Sequence, residues 1–369
     1  MKTLLKNILP YDLFKRMLDE GFIRSQVHPK YPELCIFNYT EATAFGREWN
    51  EATNACRGLI LRLANGVLDG DAEVVARPFN KFHNLNTTYV LETMEENLPN
   101  EAPLVTTKLD GSMGIIYEYD DKWWVATRGS FDSDQARRAT AWYRQHNAML
   151  PQGWGAGVTP VCEIIYPENR IVVDYDFEGL VLLSMIDNET GREMHFSDVE
   201  MWGRINALQV VQKFDKSLAE CAAENTLNEE GYVLTYSNGV KVKVKFAEYV
   251  RLHRVLTGLN PKAIWEMLAQ NSGAVDAILA DPKMPATFIS WFKGWVEQLR
   301  GKYAEIEREA QAVFAARPQT SRKDQALYFK QTPQHMGLLF AMLDGKNCAE
   351  IIWDRIAPKG NQTFKKDGE

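Results

Sequence analysis

The periodicity of apolar residues changes once along this chain and does not change back. Up to Lys245, runs of strand character dominate. They are CRGLILRL at 56–63, residues 103–128 broken by the Asp120-Asp121 turn, and a hairpin of 231–236 with 240–246 turned by Ser237-Asn238-Gly239. Beyond Lys245 every pattern is helical, at 247–258, about 262–280, 286–315, 323–344 and 348–357, with Gly258 and Pro261 marking a boundary. The spacing predicts an α+β domain over 1–257 followed by an all-helical C-terminal domain over 258–369. Length agrees, because 369 residues exceed the roughly 250–300 at which a single core stops growing. Within the first part, helices are expected at 10–24 (Leu13, Phe14, Met17, Leu18), at 133–148 from Ser133, and at 198–207 and 215–225. Apolar segments lie at 161–166, 171–174 and 179–186. There is no internal repeat, and the polar tail GNQTFKKDGE reads as frayed.

The net charge of −7 argues against non-specific coating of nucleic acid and leaves room for a local basic groove. Residues 1–255 carry 27 Lys and Arg against 36 Asp and Glu, and 256–369 carry 15 against 13, so the acidity sits where catalytic carboxylates would sit. Cysteines at 35, 56, 162, 221 and 348 are odd in number, widely spaced and without CxxC. They read as reduced thiols with no zinc site. No run approaches the roughly 18 apolar residues of a membrane span, and Lys6 interrupts the short N-terminal runs. A cytoplasmic protein with no membrane partner is expected.

The segment with most chemistry is Lys108-Leu109-Asp110-Gly111-Ser112-Met113-Gly114. A lysine at a strand end before Asp-Gly makes a tight turn that lets a ligand approach the backbone. As a nucleophile such a lysine must be neutral, which calls for burial or nearby cations to lower its pKa. A bare KxDG is commonly a hairpin turn, and Lys365-Lys366-Asp367-Gly368 is a second copy with no strand ahead of it, read as a tail turn without function. The partners of Lys108 decide between the two. Glu163, 55 residues on, is a carboxylate inside the apolar VCEIIYPENRIVV, which is costly without a partner. Glu230 opens EGYVL, 122 residues on, and KVKVK places Lys241, Lys243 and Lys245 on one strand face. Like charges on one face repel unless an anion such as phosphate lies there.

In this order the motifs KLDGS, CEIIYPENRIVV, EGYVL and KVKVK resemble motifs I, III, IV and V of the covalent nucleotidyltransferases, and within them the phage-type ATP-dependent RNA ligases that reseal cut tRNA. ACRGLILR and ARPFNKFHNL resemble the family too, and the likeness covers roughly residues 35–255. It implies an adenylyltransferase domain of antiparallel sheets with flanking helices. It implies that Lys108 attacks the α-phosphorus of ATP and holds AMP, and that Mg²⁺ or Mn²⁺ is bound through Glu230. Arg57 and Lys81 would contact the triphosphate, Arg128 a phosphate or the ribose, and Glu163 the ribose. Lys243 and Lys245 would grip the α-phosphate, chosen over Lys241 because FAEYVRLH then fits the family's spacing. Phe82 or Leu180 would sandwich the adenine, although both suit a core equally. The implied substrate is RNA with 5′-phosphate and 3′-hydroxyl ends, possibly a cut tRNA inside the host cell of a phage.

DNA ligases and capping enzymes share the lysyl-nucleotide core but follow motif V with a β-barrel. About 110 helical residues follow it here, which favours RNA. A DNA-joining or capping-type enzyme, or a non-catalytic RNA-binding protein with a degenerate core, are the competing readings. Arg137, Arg138, Arg144, Arg251 and Arg254 read as solvated, and His83, near Lys81, as structural. Trp265, Trp291, Trp295 and Trp353 read as core of the helical domain, which by analogy with the family would confer preference for a structured RNA.

Overall fold

A computed structural model of the chain describes residues 2–146, 157–270 and 272–359. The chain divides between Arg251 and Leu252, inside the helix Ala247–Gly258 and ahead of the glycine. The first unit carries strands β1 (Ile23–Val27), β2 (Leu34–Tyr39), β3 (Arg57–Arg62), β4 (Glu73–Ala76), β5 (His83–Asn84), β6 (Leu104–Lys108) and β7 (Ser112–Tyr119). It continues with β8 (Lys122–Thr127), β9 (Val158–Ile165), β10 (Gly179–Asp187), β11 (Gln209–Val210), β12 (Lys213–Phe214), β13 (Gly231–Thr235) and β14 (Lys241–Lys245). They form three sheets, ordered β1-β2-β3-β4, β11-β10-β9-β7-β8 and β12-β6-β13-β14-β5. Antiparallel pairs predominate, with β10–β11 and β14–β5 parallel.

Period-two alternation explains why the apolar runs are unbroken. In β2 and β3, Cys35, Phe37, Leu59 and Leu61 pack with Phe14 and Met17 of the helix Tyr11–Asp19. The intervening Leu34, Ile36 and Ile60 point the other way, into a core shared with Ile115, Tyr117 and Val161 of the second sheet. Both faces are covered, so the strands lack a polar side. The second sheet repeats the device: Ile116, Cys162 and Leu182 face a third core with Tyr143 of the helix Asp134–His146 and Trp202 of the helix Phe196–Ile205.

Several expectations shift. The helix expected over 10–24 ends at Asp19, and β1 begins at Ile23. Residues 147–148 of the 133–148 expectation lie outside the described residues, as does Lys365–Gly368. The 215–225 helix shrinks to Leu218–Ala223, started by a reciprocal cap between Ser217 and Glu220. The apolar 171–174 segment is not a strand. Arg144 is not solvated. It donates to the carbonyl of Trp123 and covers the ring of Trp124.

Among the described residues every element of the second unit is a helix. The expected 262–280 helix is the pair Pro261–Gln270 and Ser272–Leu279. The 323–344 pattern is likewise two helices, Arg322–Phe329 and Met336–Leu343, with Pro333 between them unable to supply a helical N–H. The helix Ala286–Ala315 runs for 30 residues. Trp265 donates its indole N–H to the carbonyl of Trp353, while Trp291 and Trp295 are half-buried. No described helix is long and apolar enough to cross a membrane.

Candidate active site

Lys108 is the last residue of β6, paired with Gly231, whereas Ser112 opens β7 in a different sheet, paired with Ile164. Leu109-Asp110-Gly111 is therefore a crossover between sheets and not a hairpin turn. Asp110, 3% exposed, ties it down. One carboxylate oxygen accepts the N–H groups of Val172 (2.8 Å) and Val173 (2.9 Å), and the other accepts the Tyr249 hydroxyl at 2.7 Å. This is why the apolar 171–174 segment is not in a sheet: its N–H groups serve a carboxylate. Gly111 donates its N–H to Glu163 at 3.0 Å, and a Cβ there would lie 2.6 Å from the Ile164 carbonyl oxygen. Only glycine fits this crossing.

Glu230 stands just before β13 and is 3% exposed. Its two oxygens meet the ammonium groups of Lys108 at 2.7 Å and Lys245 at 2.9 Å. Gly231, at φ +139°, lets the backbone pass where a Cβ would sit 2.0 Å from the Val244 carbonyl oxygen. Across the hairpin, Gly231, Val233 and Thr235 face Lys245, Lys243 and Lys241. The three alternating lysines thus have different surroundings. Lys245 pairs with Glu230, and Lys241 pairs with Glu193 at 2.5 Å over the ring of Phe79. Lys243 has no carboxylate partner among the described residues, and its ammonium lies 4.5 Å from the Phe82 ring centroid.

Charge follows geometry. Burial pushes the Lys108 ammonium toward its neutral form, but Glu230 and then Glu163 outweigh it and hold its pKa above the ordinary 10.5. The resting lysine is therefore more firmly protonated than a nucleophile requires, contrary to the lowered pKa expected from its sequence. Burial raises Glu230, but Lys108 and Lys245 more than reverse this and leave it below 4.5. Burial lifts Glu163 to about 7, against the pull of Lys108. Lys243 is driven well below the lysine range by burial and then by Lys81, Lys108, Arg57 and Lys245.

A second group of cations surrounds Tyr39. Arg128 donates to its hydroxyl at 3.0 Å, and the Lys81 ammonium lies 5.8 Å from its ring centroid and 5.4 Å from that of Trp49. Burial raises the phenol, but Arg128, Lys81 and Arg57 bring it below 10. Burial in turn lowers both Arg57 and Lys81. Arg57, Lys81 and Arg128 have no carboxylate within ion-pair distance among the described residues, and the Nε of Arg128 is buried without a hydrogen bond. So many cations with so few counter-charges describe a site shaped for an anion with several negative charges.

Between the two groups lies a cavity of 170 Å³ lined by Arg57, Lys108, Arg128, Glu163 and Lys243, with Phe82, Met113, Leu183 and Val233 as apolar walls. Glu230 and Lys245 join it through Lys108, and Lys81 lies with Arg57 and Arg128 around Tyr39. All eight residues singled out from the sequence thus gather in one region. Of the two adenine-stacking candidates, Phe82 lines the cavity, and Leu180 is packed in the core behind it. Lys241, set aside as peripheral, lines it too. Asp110 and Tyr249 were written in KLDGS and FAEYVRLH without a role. Tyr39, Leu183 and Val233 carried no signal, because each sits in an ordinary apolar run, and Trp49, between Glu48 and Asn50, belongs to no motif. Among the described residues, no group of three or more His, Cys, Asp or Glu side chains could hold a metal ion.

Residues 55–249, from the strand bearing Arg57 through Lys245, match the family described as RNA ligase. The chain is 29% identical over 199 residues to a putative RNA ligase of Thermovibrio ammonificans, covering 51% of each. It is 23% identical over 350 residues to an RNA ligase of Rhodothermus phage RM378, covering 76% of each. It thus spans about half the length of the Thermovibrio relative. Among solved structures, Naegleria gruberi RNA ligase with PPi aligns with 58% of this chain and 67% of that one, at 18% identity and a TM-score of 0.39. The matched segment contains every residue that lines the cation-rich cavity, and on that match over more than half its length the chain belongs to the RNA ligase family.

Proposed function

We propose that this chain is an ATP-dependent RNA ligase working through a lysyl-AMP intermediate on Lys108. The observation that carries the reading is the cavity lined by Lys108, Glu163 and the unpaired cations Arg57, Arg128 and Lys243, with the buried Glu230 paired to Lys108. In the first step Lys108 loses its ammonium proton to solvent, its nitrogen bonds to the α-phosphorus of ATP, and the bond to pyrophosphate breaks with the electron pair leaving on pyrophosphate. Lys243 and Lys245 offset charge on the transferring phosphoryl group, Arg57 and Lys81 hold the leaving pyrophosphate, and Arg128 holds a phosphate or the ribose. Glu163 accepts a ribose hydroxyl. An oxygen of the 5′-phosphate of an RNA then bonds to the AMP phosphorus as the N–P bond to Lys108 breaks, its electron pair returning to the lysine nitrogen, which takes up a proton. Finally the 3′ oxygen of a second end bonds to that phosphorus, AMP leaves with its electron pair, and the hydroxyl proton goes to solvent.

Both Glu230 oxygens are spoken for by ammonium groups, and no carboxylate cage is found among the described residues. This suits an ion that arrives with the nucleotide, as Mg²⁺ commonly does through one or two carboxylates and substrate phosphates. Glu230 is the residue that would hold Mg²⁺ or Mn²⁺, and the ion would supply further positive charge to the phosphoryl oxygens. The helical region beyond about residue 257 is proposed to read folded RNA such as a cut tRNA.

The test is incubation with α-labelled ATP and Mg²⁺, followed by denaturation. Label should stay on the chain, vanish in Lys108→Ala and persist in Lys365→Ala. Label on Lys108→Ala would refute the assignment. Labelled GTP in place of ATP would point to capping chemistry.

A further inference from the structure

A second cavity, of 290 Å³, backs onto the first. The two share Phe79, Phe82 and Lys241 as a common wall. Its chemistry differs from the cation-rich side. The charges facing it, Lys81 and Lys241 against Glu92 and Glu193, balance, and Lys241 is already paired with Glu193. A bare phosphate or pyrophosphate gains little in such a neutral space.

What the cavity has in surplus is unspent hydrogen-bonding capacity. The side-chain oxygen of Asn54 is buried with no partner. Asn238 uses its oxygen for the N–H of Val240, which leaves its NH₂ group to donate elsewhere. Glu92 is exposed and has no ion pair among the described residues. Unpaired buried polar atoms are rare in folded chains and call for a partner. The Phe79 and Phe82 rings, 6.1 Å apart at 74°, add an apolar flank on which a planar base can rest. Mixed donors and acceptors, no net charge and an aromatic flank together describe a site for a single ribonucleoside. The volume lies at the lower edge of the roughly 300–1,000 Å³ of ligand pockets, as suits one nucleoside.

We infer that this cavity holds the 3′-terminal nucleoside of the RNA strand that supplies the attacking hydroxyl. The inference rests on the ligase reading proposed above. A donor 5′ end carries a phosphate that would seek the cations of the first cavity. An acceptor end carries two hydroxyls and no terminal phosphate, and carboxylates such as Glu92 and Glu193 are acceptors for hydroxyl donors. The shared wall sets that nucleoside beside the nucleotide cavity, where the attack takes place.

The test uses the full chain, an RNA donor already adenylated at its 5′ end, and a short acceptor RNA. Asn54→Leu and Glu92→Gln alter only the second cavity. Each should raise the KM for acceptor about tenfold while leaving the donor KM and self-adenylation by ATP within twofold, which also shows that the variants fold. Glu92→Gln should further weaken the preference of the wild type for a ribo- over a 2′-deoxy-terminated acceptor. Unchanged acceptor KM in both variants would overturn the assignment, and so would an equal rise in the KM for donor or ATP, which would make the cavity a donor or polyphosphate site. A wild-type chain that never takes up AMP would instead sink the ligase reading itself.

Discussion

Replacing Glu230 by glutamine keeps the shape of the side chain and removes one charge from beneath two ammonium groups. The carboxylate is 3% exposed, with Lys108 at 2.7 Å and Lys245 at 2.9 Å. Breaking a buried ion pair by deleting one partner costs about 3–5 kcal/mol, because the remaining charge stays desolvated. The lysine side chains are 19% and 26% exposed, so water relieves part of this and the low end, about 3 kcal/mol, applies. For a unit of this size each kcal/mol moves the melting midpoint by roughly 2–4 °C, giving a fall of about 6–12 °C. The pH dependence fixes the cause. Glu230 is held below 4.5, so its contribution is present above pH 4.5 and lost as pH falls through its lowered value. Lys108 is held above 10.5, so its contribution is present below pH 10.5 and lost as pH rises through its raised value. Glu163, at about 7, is raised in part by Glu230, so the deficit of Glu230→Gln should be flat only above that titration, up to pH 10.5. Thermal unfolding of wild type, Glu230→Gln, Lys108→Met and the double variant, followed by circular dichroism at several pH values, measures it. In the double variant Lys108→Met should cost less than it does alone. An unchanged midpoint, or a deficit already gone at pH 7, would refute the ion-pair reasoning.

Lys243→Met should abolish adenylation yet raise the melting midpoint, because an unpartnered buried ammonium is removed. Its pKa is lowered, so the gain is full below that lowered value and fades as pH rises from there toward 10.5; a midpoint that drops would contradict this. Self-adenylation should accelerate close to tenfold per pH unit from pH 6 to 8, since Lys108 is held protonated; a rate independent of pH in single-turnover labelling would mean that deprotonation does not limit it. Tyr249→Phe should slow self-adenylation at least tenfold, because Asp110 then loses the hydroxyl at 2.7 Å that helps hold the crossover; wild-type labelling would remove Tyr249 from that role. A fragment of residues 1–257 retains Tyr249 and should still take up AMP, while sealing of a cut tRNA falls more than joining of an unstructured strand; equal losses on both RNAs would make the helical region a general scaffold.

The strands of the first two sheets were legible because both faces are buried, and that writes long apolar runs into the chain. β1 was not, since Ile23–Val27 reads IRSQV, with a single fully buried residue, Ile23, and so carries almost no alternation. Short strands such as His83–Asn84 and Lys213–Phe214 exist only through their neighbours in the third sheet. At the site, lysines and glutamates stood out because charge in an apolar strand needs a reason. Tyr39 did not, because an aromatic residue at the end of an apolar strand usually belongs to a core. The pairing of Lys108 with Glu230 was also hidden. Residues 122 positions apart become neighbours only through the β6–β13 register, and this pairing inverts the pKa expected of the lysine taken alone.

The third sheet also sets a timetable. β6 lies between β12 and β13, and β14 follows β13, so the strand that ends in Lys108 precedes all three of these partners along the chain. At translation rates of roughly 5–20 residues per second, the stretch from Lys108 to Lys245 takes about 7–27 s to emerge. Until β12 and β13 emerge, 105 and 123 residues after it, the ribosome-bound chain displays Lys108 on an unpaired strand, and Lys243 and Lys245 join last. On the reading proposed above, charging with nucleotide awaits nearly the whole of the first unit, and half-made chains released early would carry the lysine without the groups needed to take up AMP.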